Sequence, residues 1–328
     1  MSDANIEGSA VSDDMKVVNF MGLRYIALVL SAILILGSIA SLATRGLSLG
    51  LDFTGGTQIE VGYDKPADLN RIRGQLSEAG FGNAVVVHFG ADTEVLVKMQ
   101  LASGSEVQDP SVYAKLGDEV LAVLRSEGHE VELRRVDFVG PQVGEELWNE
   151  GGLGMLFALA VVMIYVAMRF QFKFSVGAVS ALVHDVIIVL GFFSITGLDF
   201  DLTVLAAVLA VIGYSLNDTI VVADRIRENF RKLRKGDVVE VINVSLTQTL
   251  GRTMVTSITT LLVLLALFLF GGELIHNFSS ALIVGIVVGT YSSIYVAANV
   301  LLLMNISKED LMVPVKEGEE QDDAEAPY

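Results

Sequence analysis

The sequence predicts an α-helical membrane protein with six membrane-spanning helices and one α+β domain inserted after the first of them. Apolar residues make up 52% of the 328 residues. Six apolar runs are each about long enough, at about 1.5 Å per residue, to cross a hydrocarbon core of roughly 30 Å. A polar stretch of about a hundred residues separates the first run from the second, and its apolar positions follow strand and helix periods.

The six apolar runs give the predicted membrane helices. They occupy residues 23–43, 153–168, 174–195, 202–223, 253–270 and 278–304. The first run follows an acidic segment and exceeds the usual length of about 7–15 residues for the apolar core of a signal peptide. We therefore expect it to be an uncleaved anchor.

Lys and Arg residues in the short connections predict the orientation. Thirteen of them fall on one side of the predicted bundle, and none falls in the loops 197–201 and 271–277. The positive-inside rule then places both termini in the cytoplasm and the long insertion outside it, periplasmic in a bacterial inner membrane. The predicted divisions are a cytoplasmic tail 1–22, helix 23–43, a periplasmic domain 44–150, helices 2–6 within 151–306, and an acidic cytoplasmic tail 307–328.

The insertion has the pattern of a ferredoxin-like domain. Strands are predicted at 57–63, 84–89, 94–100 and 130–139, where apolar and polar residues alternate. Helices are predicted at 66–79 and 110–126, where apolar residues recur at helical spacing. The resulting order β-α-β-β-α-β is that of a split βαβ sandwich. No phosphate-binding glycine loop or catalytic motif occurs in it, so we do not expect an enzyme.

Composition excludes several functional classes. The chain has no cysteine, and its four histidines show no metal-ligand spacing, so neither a metal nor another cofactor is expected. A net charge of −17 argues against nucleic acid as a partner, because binding phosphates requires a basic surface.

Charged and polar residues at membrane depth are the functional candidates, since they are costly in hydrocarbon. His184 and Asp185 fall near the middle of the third run, Asn217 and Asp218 lie in the fourth, and Arg252 opens the fifth. Asp218 is the strongest candidate, because loss of hydration disfavours the charged form of a carboxylate and lets it exchange a proton near neutral pH. Arg252 on a neighbouring helix would stabilise the charged form.

Structural alternatives stay open for each candidate. Asp218 would also serve as a static hydrogen-bonding group that fixes helix register, and Arg252 would also extend its side chain to the headgroups. Adjacent side chains on a helix diverge by about 100°, so we do not expect a direct hydrogen bond between His184 and Asp185. Gly285 and Gly289 form a GxxxG motif, which is typical of close helix packing.

Four motifs resemble the SecF family of bacterial protein-export membrane proteins. They are LGLDFTGGTQIEV (49–61), VGPQVGEEL (139–147), VIGYSLNDTIVVADRIRENFRK (211–232) and NVSLTQTLGRT (243–253). The resemblance implies a six-helix protein of the resistance-nodulation-division (RND) superfamily with one periplasmic domain. It further implies a proton-driven role, with Asp218 and Arg252 as the relay, beside the SecYEG channel and after the motor SecA. The implied partners are SecD, YajC, YidC, unfolded preproteins and membrane lipids.

A second subunit is also expected without the resemblance. Transporters of this type are built from two repeats around a midplane site, and this chain holds one six-helix unit. Two other functions remain possible, namely a stand-alone RND-type exporter of small molecules and a structural scaffold without motor activity. The paired glycines of LDFTGG, Gly55 and Gly56, predict a tight turn. We interpret this turn as a hinge for the exported domain.

Overall fold

The computed structural model describes residues 16–89, 91–100, 110–126, 131–232 and 237–307. The acidic tail and the first fifteen residues of the predicted N-terminal tail lie outside these ranges. The described elements, in chain order, are α1 (Arg24–Arg45), α2 (Leu51–Thr54), β1 (Gly56–Tyr63), α3 (Leu69–Glu78), β2 (Val85–Phe89), β3 (Ala91–Gln100), α4 (Pro110–Arg125), β4 (Val131–Val139), α5 (Pro141–Arg169), α6 (Phe172–Thr196), α7 (Leu202–Lys232), α8 (Val238–Phe270) and α9 (Glu273–Leu303).

Six helices of the described chain are long and apolar enough to cross a membrane, which confirms the predicted number. They are α1, α5, α6, α7, α8 and α9. Helices α6, α7 and α9 form the interior of the bundle, where about half of the residues in their apolar spans are buried, whereas α1, α5 and α8 lie outside them. The interior helices therefore hold the groups that are shielded from lipid.

Glycines let α7 and α9 approach closely. A Cβ atom added at Gly285 would lie 2.1 Å from Cγ2 of Val211, and one at Gly289 would lie 3.0 Å from Cβ of Ser215. A side chain at either glycine would push the two backbones apart. The GxxxG motif is thus a helix contact, as the sequence predicted.

Helices α7 and α8 extend well beyond their apolar runs. Hydropathy placed the fifth run at 253–270, but α8 begins at Val238. The extra turns carry polar residues that bond to neighbouring elements: Nδ2 of Asn229 donates to Oγ of Ser245 at 2.8 Å, and the backbone N–H of Met21 donates to Oδ1 of Asn243 at 2.9 Å. The hydropathy of these turns is low because their contacts are made by polar residues. The helices nevertheless continue through them.

The inserted domain has a four-stranded antiparallel sheet in the order β2-β3-β1-β4. This is the strand order of the ferredoxin-like fold, which confirms the predicted class. Alternate residues of the sheet and the apolar faces of α3 and α4 share one core, in which the buried residues include Ile59, Val61, Leu76, Val97, Val120 and Leu124. Helix α3 begins later than predicted, because Asp68 caps it by accepting from the backbone N–H groups of Asn70 and Arg71.

The LDFTGG segment joins this domain to the bundle. Gly55 and Gly56 adopt φ values of 72° and 146°, as the predicted turn requires. Oδ2 of Asp52 accepts a hydrogen bond of 3.1 Å from the backbone N–H of Leu202, the first residue of α7. The Phe53 ring packs against Trp148 of α5 and against Phe200. The motif therefore ties three segments together, and its role as a hinge stays a prediction.

Candidate functional site

A buried polar network lies at the middle of the bundle, around Asp185 of α6. Asp185 is 1% exposed, and its carboxylate accepts from the hydroxyls of Ser215 on α7 and Ser292 on α9, the latter at 2.8 Å. A hydrogen bond of 2.9 Å joins its Oδ1 to Nδ1 of His184. One carboxylate thus connects the three interior helices.

The bond between His184 and Asp185 contradicts the expectation from helix geometry. Their Cβ atoms diverge, but each side chain has rotatable bonds beyond Cβ that bring the ring edge to the carboxylate. Both residues are held on their other sides: Ser215 and Ser292 bind the carboxylate, and Oγ of Ser31 lies 3.2 Å from Nε2 of the ring.

The network continues to α1. Oγ of Ser31 and the hydroxyl of Tyr291 are 3.0 Å apart, and the Tyr291 hydroxyl donates to the carbonyl of Ala27 at 2.7 Å. Since that carbonyl can only accept, the tyrosine proton is committed to it, and Ser31 then donates to Tyr291. Nε2 of His184 must in turn donate to Ser31.

Satisfying every contact in this order also constrains the bond between His184 and Asp185. With a proton on Nε2, the bond at Nδ1 needs one further proton, carried either by the ring nitrogen or by the carboxyl group. The pair therefore satisfies every hydrogen bond when it is an imidazolium with a carboxylate, or a neutral imidazole with a carboxylic acid. Both forms hold one more proton than a neutral histidine beside a carboxylate.

Asp218 lies one turn further along α7, three residues after Ser215. It is 4% exposed, and its Oδ2 is buried without a hydrogen-bond partner among the described residues. Oγ1 of Thr253 on α8 is likewise buried without a partner there. Asp218 is thus a shielded carboxyl group with unused hydrogen-bonding capacity, unlike Asp185.

Arg252 and Asn217 lie on the outside of the bundle. Both are exposed, and no ion pair joins Arg252 to Asp218 in the described part of the chain. Counted along their helices, Asp218 is sixteen residues from Leu202 and Arg252 is eighteen from Phe270, so they lie about 24 and 27 Å from helix ends on the same side of the bundle. Asp218 and Arg252 therefore lie at a similar depth along their helices, but they form no ion pair in the described structure.

Most of the hydroxyl groups of α8 donate hydrogen bonds to carbonyl groups of the same helix. Thr256, Thr259 and Thr260 donate to carbonyls three or four residues back in their own helix. Ser257 differs, because its Oγ lies 2.7 Å from Oγ1 of Thr290 and accepts from the Tyr214 hydroxyl at 3.2 Å. Ser257 alone in this series thus connects α8 to both α7 and α9.

Sequence reasoning missed the hydroxyl groups of the network around His184 and Asp185. Ser31, Ser215, Tyr291 and Ser292 carry no charge, so a search for ionisable residues passes over them. The available signal was spacing: Ser292 follows Gly289 by three residues, on the face of α9 that packs against α7. The described residues contain no group of three metal-binding side chains.

Comparison with known proteins gives two family profiles. "Protein export membrane protein SecD/SecF, C-terminal" matches residues 119–307, and "SecD/SecF GG Motif" matches residues 40–67. Among curated proteins, the chain is 53% identical to the protein translocase subunit SecF of Pseudomonas aeruginosa, covering 90% of this chain and 94% of that protein. It is 50% identical to SecF of Vibrio alginolyticus, covering 94% and 97% of the two chains.

Among solved structures, the chain is similar to SecDF of Thermus thermophilus, a translocon-associated membrane protein. The TM-score is 0.76 at 36% identity, and the match covers 88% of this chain but 39% of the longer SecDF chain. A second SecDF structure, in the super-membrane-facing form, matches with a TM-score of 0.66. The resemblance seen in the motifs is therefore confirmed over nearly the whole length, and this multi-pass membrane protein belongs to the SecF family of protein translocase subunits.

Proposed function

We propose that this chain forms a complex with SecD in the bacterial inner membrane and couples inward proton movement to protein translocation. Membership of the SecF family gives it a role in Sec protein translocation. The proton coupling, the position of both termini in the cytoplasm and the absence of enzymatic catalysis are the further parts of the proposal. SecYEG, YajC, YidC, unfolded preproteins and lipids are the other proposed partners.

One observation carries the proton coupling: Asp218 is a carboxyl group at membrane depth, buried, with an oxygen that has no partner in the described structure. Moving one unit charge across the bilayer is worth about 2.3 kcal/mol per 100 mV. That energy does work if proton occupancy of Asp218 favours one helix arrangement over another. Release of the proton would draw Arg252 toward the carboxylate and shift α8 against α7.

The exposed polar residues support a second subunit. Hydrocarbon solvates an arginine or an asparagine poorly, yet Arg252 and Asn217 are both exposed on the described chain. We propose that SecD covers this face. The buried His184–Asp185 pair would then hold the interior helices in place, with Ser215, its partner on α7, three residues before Asp218.

The test compares export into inverted membrane vesicles with and without an uncoupler. Asp218→Asn keeps the size of the side chain and removes its titration, so we expect folding and SecD association to be intact and the proton-dependent stimulation to be lost. Arg252→Met should impair the same step, whereas Arg252→Lys should retain part of it, because lysine keeps the charge without the guanidinium fork.

A matched control is Asp224→Asn. This carboxylate lies on the same helix but is about half exposed and pairs with Arg169 at 3.3 Å. We expect the Asp224→Asn complex to respond to the uncoupler as the wild type does. Uncoupler-sensitive export by Asp218→Asn at the wild-type level would refute the proton-relay role of Asp218 and leave the His184–Asp185 pair, or a group in SecD, as the proton carrier.

A further inference from the structure

A cavity of about 480 Å³ lies between α1, α6 and α9, away from Asp218 and Arg252. Its walls are mainly aliphatic, and they run along α1 from Ala27 to Ile35, eight residues or about 12 Å. Val183, 46% exposed, lines the cavity, so its mouth opens on the lipid-facing surface of the bundle. The space therefore suits a flexible chain of roughly ten carbon atoms.

A buried amide gives this cavity a polar point. Asn299 of α9 lines it, is 2% exposed, and has an Nδ2 atom without a hydrogen-bond partner in the described structure. Leaving a buried donor unpaired costs about 1–3 kcal/mol, so an acceptor from a ligand would be stabilising here. Asn299 is four residues from the end of α9, about 6 Å, which is near the depth of lipid ester groups.

Two cations lie at the same end of the helices. Arg24 precedes Ser31 by seven residues on α1, and Lys173 precedes Ser180 by seven on α6; Ser31 and Ser180 both line the cavity. Two helical turns put residues seven apart on one face, so the cations lie about 10 Å from Ser31 and Ser180, beyond the Ala27 end of the cavity. The Lys173 ammonium donates to the carbonyl of Asn305, just beyond the end of α9.

We propose that this cavity binds one phospholipid of the leaflet that meets the N-terminal end of α1. Its phosphate lies between Arg24 and Lys173, an ester carbonyl accepts from Nδ2 of Asn299, and one acyl chain fills the space down to Ile35. The aliphatic lining, the unpaired donor and the cations follow one another in the order in which a phospholipid carries its acyl, ester and phosphate groups.

The first experiment maps the acyl chain. The full-length chain, purified with its partner subunit, is placed in nanodiscs with a diester phospholipid that carries a diazirine in mid-chain, and the cross-linked residues are identified by mass spectrometry. We expect cross-links on α1 and α6 at the cavity. The yield of these cross-links should fall about tenfold in Val183→Trp, because the larger side chain blocks the mouth of the cavity. Val161→Trp on α5 is the matched control, since Val161 is 48% exposed and outside the cavity.

The second experiment tests the ester contact and separates the lipid from a free phosphate. A diether phospholipid has the same phosphate but no carbonyl, so it should compete about fivefold less well than the diester, which equals one hydrogen bond of about 1 kcal/mol. Asn299→Leu should abolish that difference. Inorganic phosphate should not compete.

Several outcomes would overturn the proposal. They are cross-links no stronger at the cavity than around Val161, equal competition by diester and diether lipids, an ester preference that survives Asn299→Leu, or cross-links from the cavity to the partner subunit in place of lipid. Thermal unfolding of each purified complex shows whether the Trp and Leu variants are folded. If Val183→Trp fails this check it is replaced by Ala32→Phe, which lines the same cavity from α1, and Asn299→Leu is replaced by Asn299→Val.

Discussion

At the scale of single residues, the two buried aspartates differ in how completely they are satisfied. Asp185 accepts from Ser215 and Ser292 and is hydrogen-bonded to His184, whereas Oδ2 of Asp218 has no partner in the described structure. Networks of this kind rigidify a core when each member is satisfied. We therefore assign Asp185 to holding the helices together and Asp218 to responding to protons.

The order of donors around the His184–Asp185 pair predicts which substitutions the network tolerates. In Asp185→Asn, the amide N–H can donate to Nδ1 of a neutral His184 while the amide oxygen accepts from both serines, so every bond is kept. Asp185→Leu leaves those donors unpaired, at about 1–3 kcal/mol each. We expect the Asn variant to unfold near the wild-type temperature and the Leu variant well below it.

Thermal unfolding of the purified complex in detergent checks this expectation. Ser180→Ala serves as a reference for a small polar change on the same helix outside the network. Equal destabilisation by Asn and Leu at position 185 would show that the pair does not hold the additional proton.

At the scale of elements, the contact between α7 and α9 depends on two glycines. A Cβ atom at Gly285 would overlap the Val211 side chain, and the only relief is movement of one helix or loss of that side chain. We expect Gly285→Ala to destabilise the bundle by about 1–3 kcal/mol and Val211→Ala to restore part of it in the double variant.

Gly154→Ala is the matched control, because no atom lies within 4 Å of a Cβ added there and alanine is the better helix former. Thermal unfolding of the single and double variants gives the coupling. Strict additivity of Gly285→Ala and Val211→Ala would contradict the proposed contact.

The elements also show how far the sequence could be read. Apolar runs predicted the six spans, and alternation predicted the ferredoxin-like order, because both patterns follow directly from burial. The turns of α8 before residue 253 were not predicted, since Asn243 and Ser245 lower the hydropathy of a segment that folds by hydrogen bonding. The Asp185 network was half predicted: the ionisable pair stands out in the sequence, but its hydroxyl partners come from three other helices, which only the tertiary structure brings together.

At the scale of the whole molecule, contacts place the α/β domain and two short loops on one side of the bundle. Nζ of Lys98 on β3 pairs with Asp199 at 3.3 Å, and Nδ2 of Asn277 donates to the carbonyl of Asp199 at 3.1 Å. The loops 197–201 and 271–277 are those without Lys or Arg. We therefore expect all three to be outside the cytoplasm.

Reporter fusions test this orientation. An enzyme that is active only outside the cytoplasm should be active when fused after Asp109 or at Glu273 and silent when fused after Lys235. The reverse pattern would invert the molecule and move the α/β domain to the cytoplasm.

The depth of Asp218 on α7 has an electrical consequence. Sixteen residues from Leu202 correspond to about 24 Å, or about four-fifths of a 30 Å hydrocarbon core. A proton that reaches Asp218 from the Leu202 end has thus crossed most of the membrane voltage, worth about 1.8 of the 2.3 kcal/mol per 100 mV. Such a path is a proton well, in which 100 mV raises the effective acidity at the carboxyl group by about 1.3 pH units. Voltage and external acidification should therefore be interchangeable in loading Asp218, whereas release to the other side should be nearly independent of voltage.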